Sequence, residues 1–335
     1  MQIKSTNIWN EFCRTNQRSK NLVYTTIGFS KSYIQCIELF LKSILAYSSF
    51  PLTFDFLIIC DEAMFNDVSD IAYSIFDNDL LKNKMFFLVA PDSISAMKAS
   101  MHKLHVFDFP QLKNYENISF IDIDVLCLYD LNILFEDMNK RIDSMKDVEK
   151  DMDSILFAHN ERDDPLENKT VWWCMNDYTE EDMDFFKANR ILPFNAGMFA
   201  FRYSQTMKSH FDKVLKIIED SPRVYFFEQA YMNAYFNRRH LVRYNLITKD
   251  NYILFPDVST LYDKKLIHFC GHPGNGRHKY QVMKEYSMRF KLLDFGEGGE
   301  KGKKSKEGEK GGEEELKGPK DFRHHVIRNR NRIIL

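Results

Sequence analysis

Short apolar runs alternate with amphipathic stretches along the first part of the chain. The runs are rich in β-branched and aromatic residues, as strands are, and they cover residues 22–27, 54–60, 85–90 and 118–121. The stretches between them carry apolar residues at helical spacing and cover residues 33–46, 66–76 and 96–109. Strands that alternate with helices indicate βαβ units, so we expect an α/β fold with a largely parallel sheet.

The remainder of the chain continues this mixture with longer helical stretches. Residues 131–153 are charged and helix-like, and amphipathic spacing predicts a helix at 206–219 and another that begins at Glu228. Further strands are predicted by the apolar runs at 154–158, 194–201, 252–255 and 266–269.

Two segments of this second part predict irregular structure. Asn195-Ala196-Gly197 predicts a turn that opens into a strand, because glycine allows close approach of the backbone. Residues 159–190 are polar and predict a long loop around Trp172 and Trp173. Such a loop either contacts a substrate or is anchored to the core by its two indole rings.

The strand at 118–121 is closed by Asp122-Ile123-Asp124. If the strand continues, both aspartates project to one face and Ile123 to the other. Two carboxylates at the end of a buried strand repel each other and are costly to desolvate, and a divalent cation offsets both costs. The other Asp-x-Asp triplets, at 77–79, 151–153 and 182–184, lie in polar sequence. Because parallel sheets bind ligands at the carboxyl ends of their strands, we interpret Asp122 and Asp124 as a metal site.

Composition and charge limit the class of protein. The net charge of −2 gives no electrostatic basis for binding nucleic acid. The six cysteines form no Cys-x-x-Cys pair, which favours core cysteines in a reducing compartment. The polar N-terminus lacks the apolar segment of a signal peptide, and no stretch approaches the ~18 apolar residues of a membrane span. We therefore expect a cytoplasmic protein.

The two ends of the chain differ from its centre. Residues 1–21 are a polar lead-in, and residues 296–320 contain eight Gly, seven Lys and seven Glu. Such a composition buries too little apolar surface to offset the entropy of folding. We therefore predict one domain at 22–293 and a disordered segment at 294–335. Residues 321–335 carry four Arg and a short apolar end, which is a weak anchor for a membrane surface or partner, a frayed tail, or a segment that packs back locally.

Five segments recur in an order known from one enzyme family. They are VYTTIGFSKSYI, HKLHVF with SFIDIDVLCLYDLNILF, FNAGMFAF, FEQAYMNAYF and LIHFCGHPGNGRHKY. Together they resemble the family 8 glycosyltransferases, which include glycogenin and bacterial lipopolysaccharide galactosyl- and glucosyltransferases. The resemblance implies a GT-A fold, a single α/β domain with a mixed, mostly parallel sheet. It also implies metal-dependent transfer of a hexose from a UDP-sugar, UDP-glucose or UDP-galactose first, to an acceptor hydroxyl with retained configuration.

The resemblance also implies roles for individual residues. The metal ligands are Asp122, Asp124 and His268, and an imidazole ligand favours Mn²⁺ over Mg²⁺. The donor-binding residues are Thr25, Thr26, Lys103, Asp122, Ile123, Gly271 and Lys279. The residues around the reacting sugar are Asn195, Glu228 and Gln229.

The sequence departs from the family pattern at two of these places. Glu228 stands where the family usually has Asp, so its role is less closely defined. The family's closing Lys-Pro-Trp is replaced by a Gly-rich basic segment that ends at Lys279, so either Arg277 or Lys279 binds the diphosphate. Each residue also has an ordinary alternative: a solvated Lys103, a turn-forming Asn195, a helix-starting Glu228 and a satisfied strand-end His268.

Two other functions fit the same residues. One is a non-catalytic protein that binds nucleotide sugars or scaffolds other enzymes. The other is a sugar nucleotidyltransferase, although Gly28-Phe29-Ser30-Lys31 is a poor match to the Gly-rich basic loop of such enzymes. The acceptor is a glycan, protein or lipid, and a homodimer is compatible with the sequence.

Overall fold

The structure is a computed structural model. It describes residues 19–76, 82–145, 151–160, 178–221, 227–254, 256, 261–270, 276–290 and 292. The expectations for Trp172, Trp173 and Gly271 lie outside these residues, as do those for the C-terminal segment and most of the N-terminal lead-in. The side chain of Arg277 is not described either, so the choice between Arg277 and Lys279 stays a prediction.

A seven-stranded sheet forms the centre, in the order β3-β2-β1-β4-β7-β6-β8. Its strands are β1 (Asn21–Ile27), β2 (Phe54–Asp61), β3 (Met85–Ala90), β4 (Asn117–Ile121), β6 (Leu156–Asn160), β7 (Phe194–Arg202) and β8 (Val242–Arg243). All neighbours are parallel except β7, which is antiparallel to both β4 and β6. The prediction of a mixed, mostly parallel sheet is therefore confirmed.

A second sheet of three strands stands beside the end of β4. It contains β5 (Val125–Cys127), β9 (Tyr252–Leu254) and β10 (Leu266–His268), in the order β5-β10-β9. β5 follows β4 after only three residues, so the chain passes directly from the large sheet into the small one. This small sheet brings β10, which lies late in the chain, to the end of β4.

Helices cover the large sheet. They are α1 (Ile34–Tyr47), α2 (Phe65–Ile75), α3 (Ala96–Ser100), α4 (Leu131–Met145), α5 (Glu180–Ala188), α6 (Gln205–Asp220), α7 (Phe227–Asn237) and α8 (Gly276–Arg289). α1 packs against α2 and α8, while α6 packs against α7. Strands covered on both faces are apolar throughout, and every residue of β1, β2 and β3 is buried.

Three local predictions are corrected. The helix expected at 96–109 is the short α3 followed by a 3-10 helix, Met101–Asp108. Asn195, Ala196 and Gly197 lie inside β7 and not in a turn before it. The expected irregular loop contains α5, which starts at a capping box formed by Thr179 and Asp182.

Two bulk expectations can be compared with the described residues. Cys36, Cys60 and Cys127 are buried, as expected of core cysteines, whereas Cys270 is partly exposed, and none of these four forms a disulfide. Within the described part of the chain, every helix is too short or too polar to cross a membrane.

Candidate active site

Asp122 and Asp124 lie in the turn that joins β4 to β5. The N–H of Val125 donates to the carbonyl of Asp122 at 3.2 Å, and the N–H of Asp122 donates to the carbonyl of Gly197 at 2.8 Å. The triplet is therefore a turn held against β7, and not the continuation of β4 on which the sequence argument relied. The turn buries Ile123, which is 7% exposed, and brings an oxygen of each carboxylate within 4.8 Å of the other.

His268 reaches the two aspartates because it ends β10. β10 pairs antiparallel with β5, which places His268 opposite Val125. The N–H of Phe269 also donates to the carbonyl of Asp124 at 2.9 Å. As a result, Nε2 of His268 lies 3.1 Å from an Asp124 oxygen and 3.7 Å from an Asp122 oxygen.

These three residues offer a set of ligand atoms for a cation. One atom from each of Asp122, Asp124 and His268 lies within 4.8 Å of the other two. Nδ1 of His268 is 2.6 Å from the Tyr252 hydroxyl, which itself donates to Oδ1 of Asn195 at 3.2 Å. The hydroxyl therefore accepts from Nδ1–H, and the lone pair of Nε2 is left for a cation. Two carboxylates and one imidazole fit Mn²⁺, so the residues match the expected metal.

Lys103 places a buried positive charge in the site. It lies in the 3-10 helix and is only 4% exposed, so the alternative of a solvated lysine is wrong. Its Nζ is 2.6 Å from Oε1 of Glu228 and 3.6 Å from Oδ1 of Asp122, and it donates to the carbonyl of Ala196 at 3.1 Å. Lys103 therefore joins the aspartate turn to the start of α7.

Glu228 is buried in the first turn of α7, at 2% exposure. Lys103 holds one carboxylate oxygen, Oε1. The other oxygen, Oε2, is buried and has no hydrogen-bond partner among the described residues. A buried acceptor without a partner is costly, so Oε2 is the atom of this carboxylate whose charge the described residues leave unbalanced.

Lys279 approaches Asp124 from α8. Its Nζ forms a very short ion pair with Oδ2 of Asp124, whereas His268 contacts Oδ1. The Lys279 side chain is 16% exposed, and Nζ lies 5.7 Å from the centre of the Tyr33 ring. Asp124 is thus shared between His268 and Lys279, one on each of its oxygens.

Burial and nearby charges shift the pKa values of Asp122 and Asp124 in opposite directions. Burial raises the pKa of Asp122, and the charge of Lys103 only partly offsets this. Burial also disfavours charge on Asp124, but Lys279 and His268 overcome it and hold the pKa of that carboxyl well below its usual range. Burial alone lowers the pKa of His268, whereas the Cys270 side chain and Asp124 raise it to about 10. In the metal-free protein, Asp124 and His268 therefore form a charged pair.

Asn195 and Gln229 are turned towards the backbone of β7. Oδ1 of Asn195 accepts from the N–H of Gly197 at 2.9 Å as well as from Tyr252. Oε1 of Gln229 accepts from the N–H of Ala196 at 3.0 Å. The carbonyl oxygens of both amides therefore hold the strand in place, in contrast to Oε2 of Glu228.

Thr25 and Thr26 lie near the end of β1, beside the aspartate turn. β1 pairs with β4 up to Tyr24 and Phe120, so the two threonines follow at the level of the turn. Both are buried, at 2% and 8% exposure, and Oγ1 of Thr25 has no hydrogen-bond partner among the described residues. The structure therefore places them at the same edge of the sheet as the metal ligands.

Two residues of the site were not predicted from the sequence. Tyr252 orients His268 through a hydroxyl group, although it lies in an ordinary apolar strand. Asn233 of α7 accepts from the N–H of Phe194 at 2.8 Å and donates to its carbonyl at 2.9 Å. A sequence signal existed only for Asn233, because it follows Gln229 by one helical turn on the same face.

Comparison with known proteins gives the fold but no family. No protein-family model matches the chain, and no curated protein does. The bifunctional glycosyltransferase WbbM matches with a TM-score of 0.53 at 13% identity, over 84% of this chain and 52% of WbbM. The chain thus spans about half the length of WbbM, or 52%.

A second solved structure is matched over nearly its full length. The galactosyltransferase LgtC, in complex with donor and acceptor sugar analogues, matches with a TM-score of 0.50 at 13% identity, over 80% of this chain and 95% of LgtC. An active-site mutant of LgtC gives the same TM-score, 0.50, at 12% identity. At such identities the likeness establishes the fold, and the chain has the GT-A fold expected from its sequence.

Proposed function

We propose that the chain is a metal-dependent glycosyltransferase that transfers a hexose from a UDP-sugar to an acceptor hydroxyl with retained configuration. One observation carries this proposal. Asp122, Asp124 and His268 offer ligand atoms within 4.8 Å of one another at the carboxyl edge of a GT-A sheet. Lys103 and Lys279 contact the two aspartates, so the site also brings two lysines to the place where a diphosphate would lie.

The bound cation would supply positive charge against the departing diphosphate. Lys279 would contribute to the same charge from α8, and Lys103 from the 3-10 helix. Thr25 and Thr26 would line the uridine at the end of β1. Membership of family 8 is part of this proposal, and it rests on the five sequence segments.

Glu228 is the residue best placed to contact the transferred sugar. Its Oε2 has no partner among the described residues, whereas the oxygen of Gln229 is engaged by β7. Lys103 fixes Oε1 at 2.6 Å, so the carboxylate is held in one orientation. We assign Glu228 to stabilising the developing positive charge on the sugar, with the acceptor entering beside the departing UDP. A phosphate oxygen of the UDP would then take the acceptor proton.

The test measures UDP release from a panel of UDP-sugars, with Mn²⁺ or with EDTA. The expected result is release that needs Mn²⁺ and is lost in Asp124→Asn and His268→Gln. Asp212→Asn is the matched control, since its carboxylate pairs with Lys208 on the exposed side of α6. The anomeric configuration of the product sugar then reports retention or inversion.

Other outcomes identify the competing functions. UDP-sugar binding without turnover, with glycan, protein and lipid acceptors present, would indicate a non-catalytic binding protein. Formation of UTP from UDP-sugar and pyrophosphate would indicate a nucleotidyltransferase. Either result contradicts the proposed transferase.

A further inference from the structure

A buried carboxylate at the end of β2 joins three segments of the chain. The side chain of Asp61 is 3% exposed. It accepts hydrogen bonds from the N–H of Phe29 at 2.6 Å, from the N–H and hydroxyl of Ser93 at 3.1 and 2.9 Å, and from Nε2 of His102 at 2.7 Å. Four donors on one carboxylate form a fully satisfied buried network, which fixes the geometry of all its members.

The first of these segments is the loop after β1. Phe29 has φ of 66°, a left-handed conformation that is unfavourable for a bulky side chain. Its N–H bond to Asp61 holds it there. A Cβ on the preceding Gly28 would lie 2.8 Å from Oδ1 of Asp61, so glycine is needed for the loop to come this close. The shape of the loop that follows Thr25 and Thr26 therefore depends on Asp61.

The second segment carries Lys103. His102 directly precedes it in the 3-10 helix, and the carbonyl of Lys103 accepts from the hydroxyl of Tyr24 at 2.9 Å. Lys103 in turn contacts Glu228 and Asp122. The third segment, at Ser93, follows β3. All three lie at the carboxyl edge of the sheet, where α/β sheets bind their ligands.

We propose that Asp61 and His102 are positioning residues for the nucleotide half of the donor. They hold the loop after β1 and the Lys103 segment in the conformation that binds a nucleoside diphosphate. This role rests on the proposed function. Asp61 is enclosed by its four donors, so it acts through the loop and through Lys103, without contact to the reacting atoms. A preformed loop avoids an ordering cost on binding, so its loss weakens ground-state binding of the nucleotide.

The test compares two buried aspartates of the same strand. Asp61→Asn keeps the shape but removes one of the two acceptor oxygens. The control is Asp55→Asn at the opposite end of β2, where Asp55 accepts from the Tyr115 hydroxyl at 3.0 Å and pairs with Lys84 at 3.2 Å. Calorimetric titration with UDP and Mn²⁺ gives Kd, steady-state UDP release gives kcat and KM, and thermal unfolding gives Tm.

We expect both variants to lower Tm, and only Asp61→Asn to raise the Kd of UDP and the KM of the donor, by about tenfold. Its kcat should stay within about twofold of wild type, because the carboxylate does not reach the reacting atoms. If Asp61→Asn does not fold, His102→Ala takes its place. His102→Gln keeps an N–H donor towards Asp61 and should restore most of the affinity for UDP.

Three results overturn the role. They are wild-type affinity for UDP in Asp61→Asn or His102→Ala, equal weakening by Asp55→Asn, and no rescue by His102→Gln. A wild-type protein that binds no UDP overturns the proposed function and this role together. If the wild-type protein binds UDP and its Kd equals that of Asp61→Asn, this role alone is contradicted and the proposed function is not.

Discussion

At the scale of single residues, the site balances a buried carboxylate, Asp124, and a partly exposed one, Asp122, with protein cations. Asp124 forms ion pairs with both His268 and Lys279, and Asp122 forms one with Lys103. A buried ion pair has to offset a large desolvation cost, and removing one partner leaves an uncompensated charge. The metal-free site is therefore stable because its charges are paired. A cation that binds to Asp124 and His268 has to replace the pairing that they now make with each other.

The pKa of His268 predicts how stability depends on pH. In the metal-free protein this pKa is raised to about 10, from about 6.5 in an unfolded chain. The stabilisation is therefore fully present below about pH 6.5 and is lost as the pH rises towards 10. A cation binds the neutral imidazole, so stabilisation by Mn²⁺ should grow over the same range.

Thermal unfolding between about pH 6.5 and 9, with EDTA or Mn²⁺, tests both trends. The His268 contribution is the difference between wild type and His268→Gln, which removes the background titration of other groups. In EDTA this difference should shrink as the pH rises, and in Mn²⁺ it should increase. A difference that does not depend on pH in EDTA would show that His268 is not charged in the folded protein.

Glu228 and Gln229 give a second prediction at this scale. Glu228→Gln preserves the shape but removes the charge that we propose to act on the donor sugar, so we expect kcat for UDP release to fall about a hundredfold. Gln229→Ala loses a hydrogen bond to the backbone of β7. It should lower Tm more than Glu228→Gln does, and lower kcat less. Parallel measurements of kcat and Tm on the two variants provide the check. A larger loss of kcat in Gln229→Ala would exchange the two roles.

At the scale of elements, β7 connects the metal ligands to α7. The carbonyl of Gly197 in this strand accepts from Asp122, while Gln229 and Asn233 of α7 bond to its first residues. β7 is also the antiparallel strand beside β4. A shift of this one strand therefore moves both the aspartate turn and the start of the helix that carries Glu228.

Gly197→Ala tests how tightly β7 packs against the metal site. A Cβ at this position would lie 2.1 Å from Cε1 of His268 and 2.7 Å from Oδ1 of Asn195. The imidazole ring has to move, so we expect Mn²⁺ affinity to fall at least about tenfold, with a loss of stability of about 1–3 kcal/mol. Mn²⁺ titration and unfolding measure the two effects.

Ala200→Gly is the control for this variant. It removes a buried methyl from the same strand, away from His268, and should lower stability while Mn²⁺ affinity stays unchanged. A folded Gly197→Ala protein with wild-type Mn²⁺ affinity would contradict the packing argument.

The elements also show how far the sequence leads. The strand at 85–90 was predictable, because a short apolar run between polar stretches is typical of a buried strand. α5 was missed although Thr179 and Asp182 carry its capping box, because the polar stretch was interpreted as a whole. The role of Tyr252 was not predictable. It depends on the parallel pairing of β9 with β10, which places Leu254 and not Tyr252 opposite His268.

At the scale of the whole molecule, the site is assembled from distant parts of the chain. The ends of β1, β4 and β10 and the starts of β7 and α7 meet at one edge, together with α8. The order of the sheet makes this possible, because β1 and β7 flank β4. The likeness to WbbM and LgtC gives the fold alone, whereas the chemistry has to come from the side chains at the edge.

The extent of the catalytic unit gives a last prediction. The described elements that contribute to the site lie between Asn21 and Arg289, and the composition of residues 294–335 predicts a segment without a core. A chain that ends at residue 293 should therefore keep its Tm and its UDP release within experimental error. The four Arg of residues 321–335 predict a different effect on surfaces, because each basic residue near an anionic membrane contributes about 1 kcal/mol. At low salt, a larger fraction of the full chain than of the shortened one should therefore sediment with phosphatidylserine vesicles. With neutral vesicles the two fractions should be equal. Loss of UDP release on shortening, with Tm unchanged, would instead place part of this segment in the catalytic cycle.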